Sequence, residues 1–109
     1  MQSIIRSLVV DASSSGDNTL LAATSTQTIR VLEYHLVAGG SVTATFKSGS
    51  NAITGPMPMI NGVPNDCPGL ALPVNRPCLF ECAKGQNLVL NLSGATAVGG
   101  HLVYEAITP

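Results

Sequence analysis

Apolar and polar residues alternate with a period of two over several stretches of this chain. Val42, Ala44 and Phe46 alternate with Thr43, Thr45 and Lys47. Successive side chains of a β-strand point to opposite faces, so this pattern predicts a half-buried strand. Leu88, Leu90 and Leu92 alternate with Asn87, Val89 and Asn91, and Leu102, Tyr104 and Ala106 lie opposite His101, Val103 and Glu105. The stretch from Thr28 to Ala38 is longer and more apolar. Leu32, Tyr34 and Leu36 fall on one face, and Ile29, Val31, Glu33, His35 and Val37 fall on the other. Such a strand is suited to cover on both sides, within the domain or by a neighbouring subunit. No 11-residue window carries the i, i+3, i+4, i+7 spacing of an amphipathic helix.

Turn-forming residues divide these segments. Ser13-Ser14-Ser15-Gly16-Asp17-Asn18 reads as a loop, and Ser48-Gly49-Ser50-Asn51 closes the strand before it. Gly39-Gly40 separates two strong strands by two residues, which predicts an antiparallel hairpin. Gly99-Gly100 inside an apolar segment predicts a bulge or kink. Six of the seven prolines lie between Gly55 and Pro77. Proline lacks the backbone donor of a sheet ladder, so residues 55–77 are expected to form a long surface loop with one short edge strand. Asn61-Gly62 marks a tight turn within it. The predicted strands are 3–11, 18–25, 28–38, 41–48, 52–55, 70–74, 78–84 and 86–93, with a further one at 97–107. The fold class is therefore all-β: one antiparallel β-sandwich or barrel domain of about eight strands spanning residues 1–109, with 1–8 as an extended N-terminal arm.

Composition narrows the function. The chain has 109 residues, the size of one small domain, and 45% of them are hydrophobic, enough for a core. Charged residues are only 10% and the net charge is −1. Five basic residues cannot build the Lys/Arg footprint of a nucleic-acid site or a polybasic membrane patch, so neither partner is expected. No apolar run approaches the ~20 residues of a membrane-spanning helix. So few charges leave a surface of Ser, Thr, Asn and Gly, or one buried against other subunits.

Enzyme motifs are absent. There is no Gly-x-Gly-x-x-Gly, no phosphate-binding loop and no Gly-x-Ser-x-Gly elbow, so no catalytic residue is assigned. His35 and Glu33 share a strand face, where such a pair can hold a metal or polarise a serine; the plainer reading is a solvated or interface pair. Cys67, Cys78, Cys82 and His101 match no zinc spacing. Cys78 and Cys82 on one strand would sit about 13 Å apart, at ~3.3 Å per residue. The three cysteines are read as small, reduced hydrophobes, and no metal or cofactor is expected. Met57 and Met59 flank Pro58 in the long loop, where adaptable side chains serve an interface or plug the end of a barrel.

Two stretches carry a resemblance. One is Val42 to Ser50 (VTATFKSGS) followed by Ile53 to Met59 (ITGPMPM). The other is Leu88 to Ser93 (LVLNLS) followed by Val98 to Tyr104 (VGGHLVY). With Ser14 to Thr19 and Ile29 to Leu32, they resemble a family of small all-β virion proteins of tailed bacteriophages, over roughly residues 9–105. The chain departs from that family at 60–69, where extra proline and Cys67 stand in place of a shorter Gly-rich turn, and at Cys78 and Cys82. The resemblance implies a jelly roll and a structural rather than enzymatic role. It points to a capsid decoration (cement) protein that binds the major capsid protein as a homotrimer. Such a protein is localised on the capsid exterior after assembly in the bacterial host cytoplasm. Residues 28–38 are then expected in the trimer core, with Leu32, Tyr34, Leu36, Met57 and Met59 as interface residues, and the 1–8 arm and the 55–77 loop against the capsid. The alternatives are a tail-associated or receptor-binding module of the same virion and a small metal-dependent jelly-roll enzyme.

Overall fold

The computed structural model describes residues 2–67 and 79–108. All regular structure in them is β. The strands are β1 (Gln2–Ala12), β2 (Gly16–Leu21), β3 (Thr28–Ala38), β4 (Val42–Ser48), β5 (Asn51–Ala52), β6 (Met57–Met59), β7 (Pro64–Cys67), β8 (Phe80–Glu81), β9 (Leu88–Leu92) and β10 (Val98–Thr108). They form two antiparallel sheets. The first runs β1-β10-β3-β7, with β8 also on β3; the second runs β2-β9-β4-β5, with β6 also on β4. The chain passes between the sheets at six of the nine connections between the described strands, and its first and last strands pair side by side. This is the strand order of a jelly roll.

The inner faces interlock around Val10, Val31, Leu36, Phe46, Leu88, Leu90, Leu92 and Leu102, each at most 1% exposed. Burial in β4 alternates without exception: Val42, Ala44, Phe46 and Ser48 point inward while Thr43, Thr45 and Lys47 point outward. Ser48 is the buried polar residue, and its Oγ accepts the Ala83 N–H at 2.9 Å. Tyr34 and Phe80 from the first sheet meet Phe46 from the second, with ring centroids 5.3 and 5.0 Å from that of Phe46. The turn at 13–15 is held by Asn18 of β2, whose Nδ2 donates to the Ser14 carbonyl at 2.9 Å. This explains why a small polar run turns the chain there.

Five expectations are corrected. Gly39-Gly40 makes no hairpin, because β3 belongs to the first sheet and β4 to the second. The two glycines carry the chain across the sandwich, and the Gly39 N–H donates to the Ala97 carbonyl at 2.8 Å. The bulge is not at Gly99-Gly100. The register of β10 against β3 shifts between Val103 and Tyr104, where Glu33 pairs with Val103 and Val31 with Tyr104. Leu32 is therefore the extra residue. One inserted residue exchanges the faces of everything beyond it. Ile29 and Val31 accordingly point inward together with Leu36 and Ala38, not away from them. Gly100 has a different reason to be glycine: its φ is +146° and a Cβ would run into the His35 carbonyl oxygen, so β10 and β3 touch backbone to backbone there. Fourth, residues 55–67 hold two short strands, where the expectation for 55–77 is a loop with one. They are β6, whose Pro58 lies opposite Thr43, and β7, which starts at Pro64 opposite Val37. Both are short flanking strands, where a missing donor is tolerated. Fifth, the 1–8 arm is no loose extension: from Gln2 onward it is extended and paired with β10 along its length. The expected 70–74 strand and Cys78 lie outside the described residues, and of 78–84 only Phe80–Glu81 is strand.

Candidate functional site

The outer faces of the two sheets differ. On the second sheet the outward residues of β2, β9 and β4 are polar apart from Val89, and Asp17, Asn91 and Lys47 among them are bound to one another. Asn91 Nδ2 donates to Asp17 Oδ1 at 2.8 Å, and Lys47 Nζ donates to the two Asp17 oxygens at 3.0 and 3.1 Å. These donors hold the Asp17 carboxyl below its ordinary pKa, Asn91 first and Lys47 second. Val89 lies in register between Thr19 and Lys47 on this face and is only 4% exposed, because the Lys47 chain leans across β9 to reach Asp17. The face is thus neutralised and self-satisfied.

The first sheet is built differently. Its β1 edge is open: among the described residues no strand pairs with β1 on the side away from β10. Val9 is 79% exposed there and Ile5 62%. The turn that leads the chain from β6 into β7, at the opposite edge of the same sheet, exposes Ile60 at 63% and Val63 at 50%. That turn is fixed by the Gly62 N–H donating to the Ala38 carbonyl at 2.9 Å. Nature usually protects a sheet edge with lysine, proline or a bulge. From Ile5 to Ala12 β1 carries none of these, and water-exposed isoleucine and valine gain free energy from cover. Between the edges, register aligns the outer rows across the sheet. One row is Ile5, Glu105, Arg30 and Glu81, where Arg30 Nε pairs with Glu81 at 2.9 Å. Another is Val9, His101 and His35.

The expected interface residues fall elsewhere. Leu36 is fully buried and Met59 is 4% exposed, both in the protomer's own core, so neither is available to a partner. Tyr34 is half-buried against Phe46 and Phe80, and its hydroxyl donates to the Met57 sulfur at 3.6 Å. Met57 packs on the core from its rim, which is the plug role rather than the interface role. Leu32, the bulge residue, is half-buried. Among the described residues the exposed large apolar side chains are instead Ile5, Val9, Ile60 and Val63. Val9 had a visible signal, since Leu8, Val9 and Val10 are apolar on both faces of one strand. Ile60 and Val63 bracket Asn61-Gly62, a place where apolar side chains have nowhere to hide.

Little here supports chemistry. A cavity of about 180 Å³ opens at one end of the sandwich, lined by Arg6, Leu21, Gln27, Ile29, Tyr104 and Ala106. It is smaller than the ~300–1,000 Å³ of usual ligand sites. Cys82 is 2% exposed and burial pushes its thiol up to about 11, the opposite of an activated nucleophile. Among the described residues no three of His, Cys, Asp and Glu gather as a metal-ligand set. No helix among them is long and apolar enough to cross a membrane. No protein-family model matches the chain, and no curated protein matches it.

Proposed function

We propose that this chain is a structural protein of a bacteriophage virion, a capsid decoration protein that binds the outside of the capsid as a homotrimer and stabilises it. The observation that carries the reading is the pair of exposed apolar patches at opposite edges of one sheet, Ile5 with Val9 and Ile60 with Val63. Patches at two different places on one subunit suit a head-to-tail contact, and head-to-tail contacts close into rings when the rotation allows. A ring of three fits a threefold platform, and three linked weak contacts to a repeated surface raise the effective concentration of each. The jelly-roll strand order, which viral capsid proteins share with lectins, agrees with this reading, as do the quoted phage-like segments. The low charge and the self-satisfied outer face of the second sheet agree as well. Copy number in purified virions, by quantitative mass spectrometry against the major capsid protein, tests it. A few hundred copies are expected. A handful places the chain in the tail or at a vertex, and absence from the particle ends the virion reading.

A further inference from the structure

The outer face of the first sheet carries two imidazoles side by side. His35 on β3 and His101 on β10 are direct partners in the antiparallel register. Their ring centroids are 5.8 Å apart and their planes lie within 23° of parallel. His101 is exposed and His35 half-buried, so both are reached from solvent while one is held by its surroundings. Two imidazoles bound to one tetrahedral ion have ring centres about 5 Å apart, given a metal–nitrogen bond of ~2.0–2.1 Å. The observed separation exceeds this by less than 1 Å; because the rings are stacked, the exposed His101 must also turn out of the stack so that a nitrogen of each ring faces one point.

From this geometry we infer that His35 and His101 form a binding site for a divalent first-row cation of the kind that prefers imidazole, Ni²⁺, Cu²⁺ or Zn²⁺. The two rings hold the ion, and water fills its remaining positions. The β-ladder supplies the preorganisation, since neighbouring strands stay ~4.7–4.9 Å apart with their paired residues opposite each other. His35 and Glu33 stand out in the sequence as residues of one strand face; the fold adds a cross-strand neighbour, His101, that 66 residues of separation conceal. The inference does not rest on the virion reading.

The test is calorimetric titration of the full chain with Ni²⁺ alone, after removal of adventitious metal, with the His101→Gln and His35→Gln variants alongside. Nickel is the probe because it favours imidazole while zinc also seeks thiolate, and the chain holds three cysteines. One ion per chain is expected at about pH 7.5, with clear weakening at about pH 5, because the ligand is the neutral ring. His101→Gln, at an exposed position, should keep the wild-type circular dichroism and weaken Ni²⁺ by at least about tenfold. His35→Gln should do the same. Nickel-induced broadening of amide signals should centre on β3 and β10 around these residues. Failure of the wild-type chain to bind Ni²⁺ would overturn the inference. So would unchanged affinity in a folded His101→Gln protein.

Discussion

Replacing Phe46 by Ala removes the side chain that joins the two sheets. Phe46 is fully buried, and its ring lies 5.3 Å from Tyr34 and 5.0 Å from Phe80, both across the sandwich. The backbone of residue 46 keeps its bonds, since its N–H donates to Thr54 Oγ1 and its carbonyl accepts the Ile53 N–H. The loss is therefore the ring's burial plus the cavity it leaves, about 3–5 kcal/mol for a core Phe→Ala. A domain of this size is stable by only about 5–15 kcal/mol, so the change consumes a large part of the whole. The unfolding entropy near the midpoint is ~2.1 cal/mol/K per residue, or about 0.23 kcal/mol/K for 109 residues. The melting temperature should fall by about 13–22 °C. Thermal denaturation followed by circular dichroism measures it. Phe46→Leu retains most of the apolar volume and should cost about 1.5 kcal/mol, or about 6 °C. A fall of less than about 5 °C for Phe46→Ala would show that Phe46 does not bridge the sheets, and the packing described above would have to be abandoned.

Two further outcomes are expected. The Asp17 carboxyl should titrate below 3.8, with Asn91→Ala raising its midpoint more than Lys47→Met does. A depressed folded-state pKa stabilises above the unfolded value, so this contribution is present at neutral pH and lost as pH falls through 3.8 and below. A carboxyl-carbon NMR titration reads it, and a wild-type midpoint at or above 3.8 refutes the assignment. Val9→Asp places a charge on a 79% exposed edge position, so the monomer fold and its melting temperature should barely change while self-association is lost. Sedimentation of the wild-type and variant chains distinguishes these, and equal association by both removes β1 from the interface.

The alternation in β4 was legible because that strand is half-buried with one polar face, and a period of two then leaves no other arrangement; in β9 the leucines at 88, 90 and 92 carry the same signal although Val89 on the other face is buried too. The all-β class and most strand centres followed from the same signal, together with the turn chemistry of Ser13–Asn18 and Asn61-Gly62. What the sequence could not determine was partnership. Gly39-Gly40 is equally suited to a hairpin and to a crossing between sheets, and only the pairing of β3 with β10 decides for the crossing. Leu32 has no local mark of a bulge. The extra residue exists because β10 must place Val103 opposite Glu33 and Tyr104 opposite Val31, and it moves Ile29 and Val31 to the core face. The same limit governs the site. A two-sided apolar strand at 28–38 suggests a subunit interface in sequence, yet the core of its own protomer takes Leu36. The exposed residues lie on β1 and on the turn before β7, at opposite edges of the sheet, and the two histidines meet across a ladder. Local pattern determines which residues face water or oil along one strand. Which face is buried within the protomer, and which distant residues become neighbours, is decided when the sheets close.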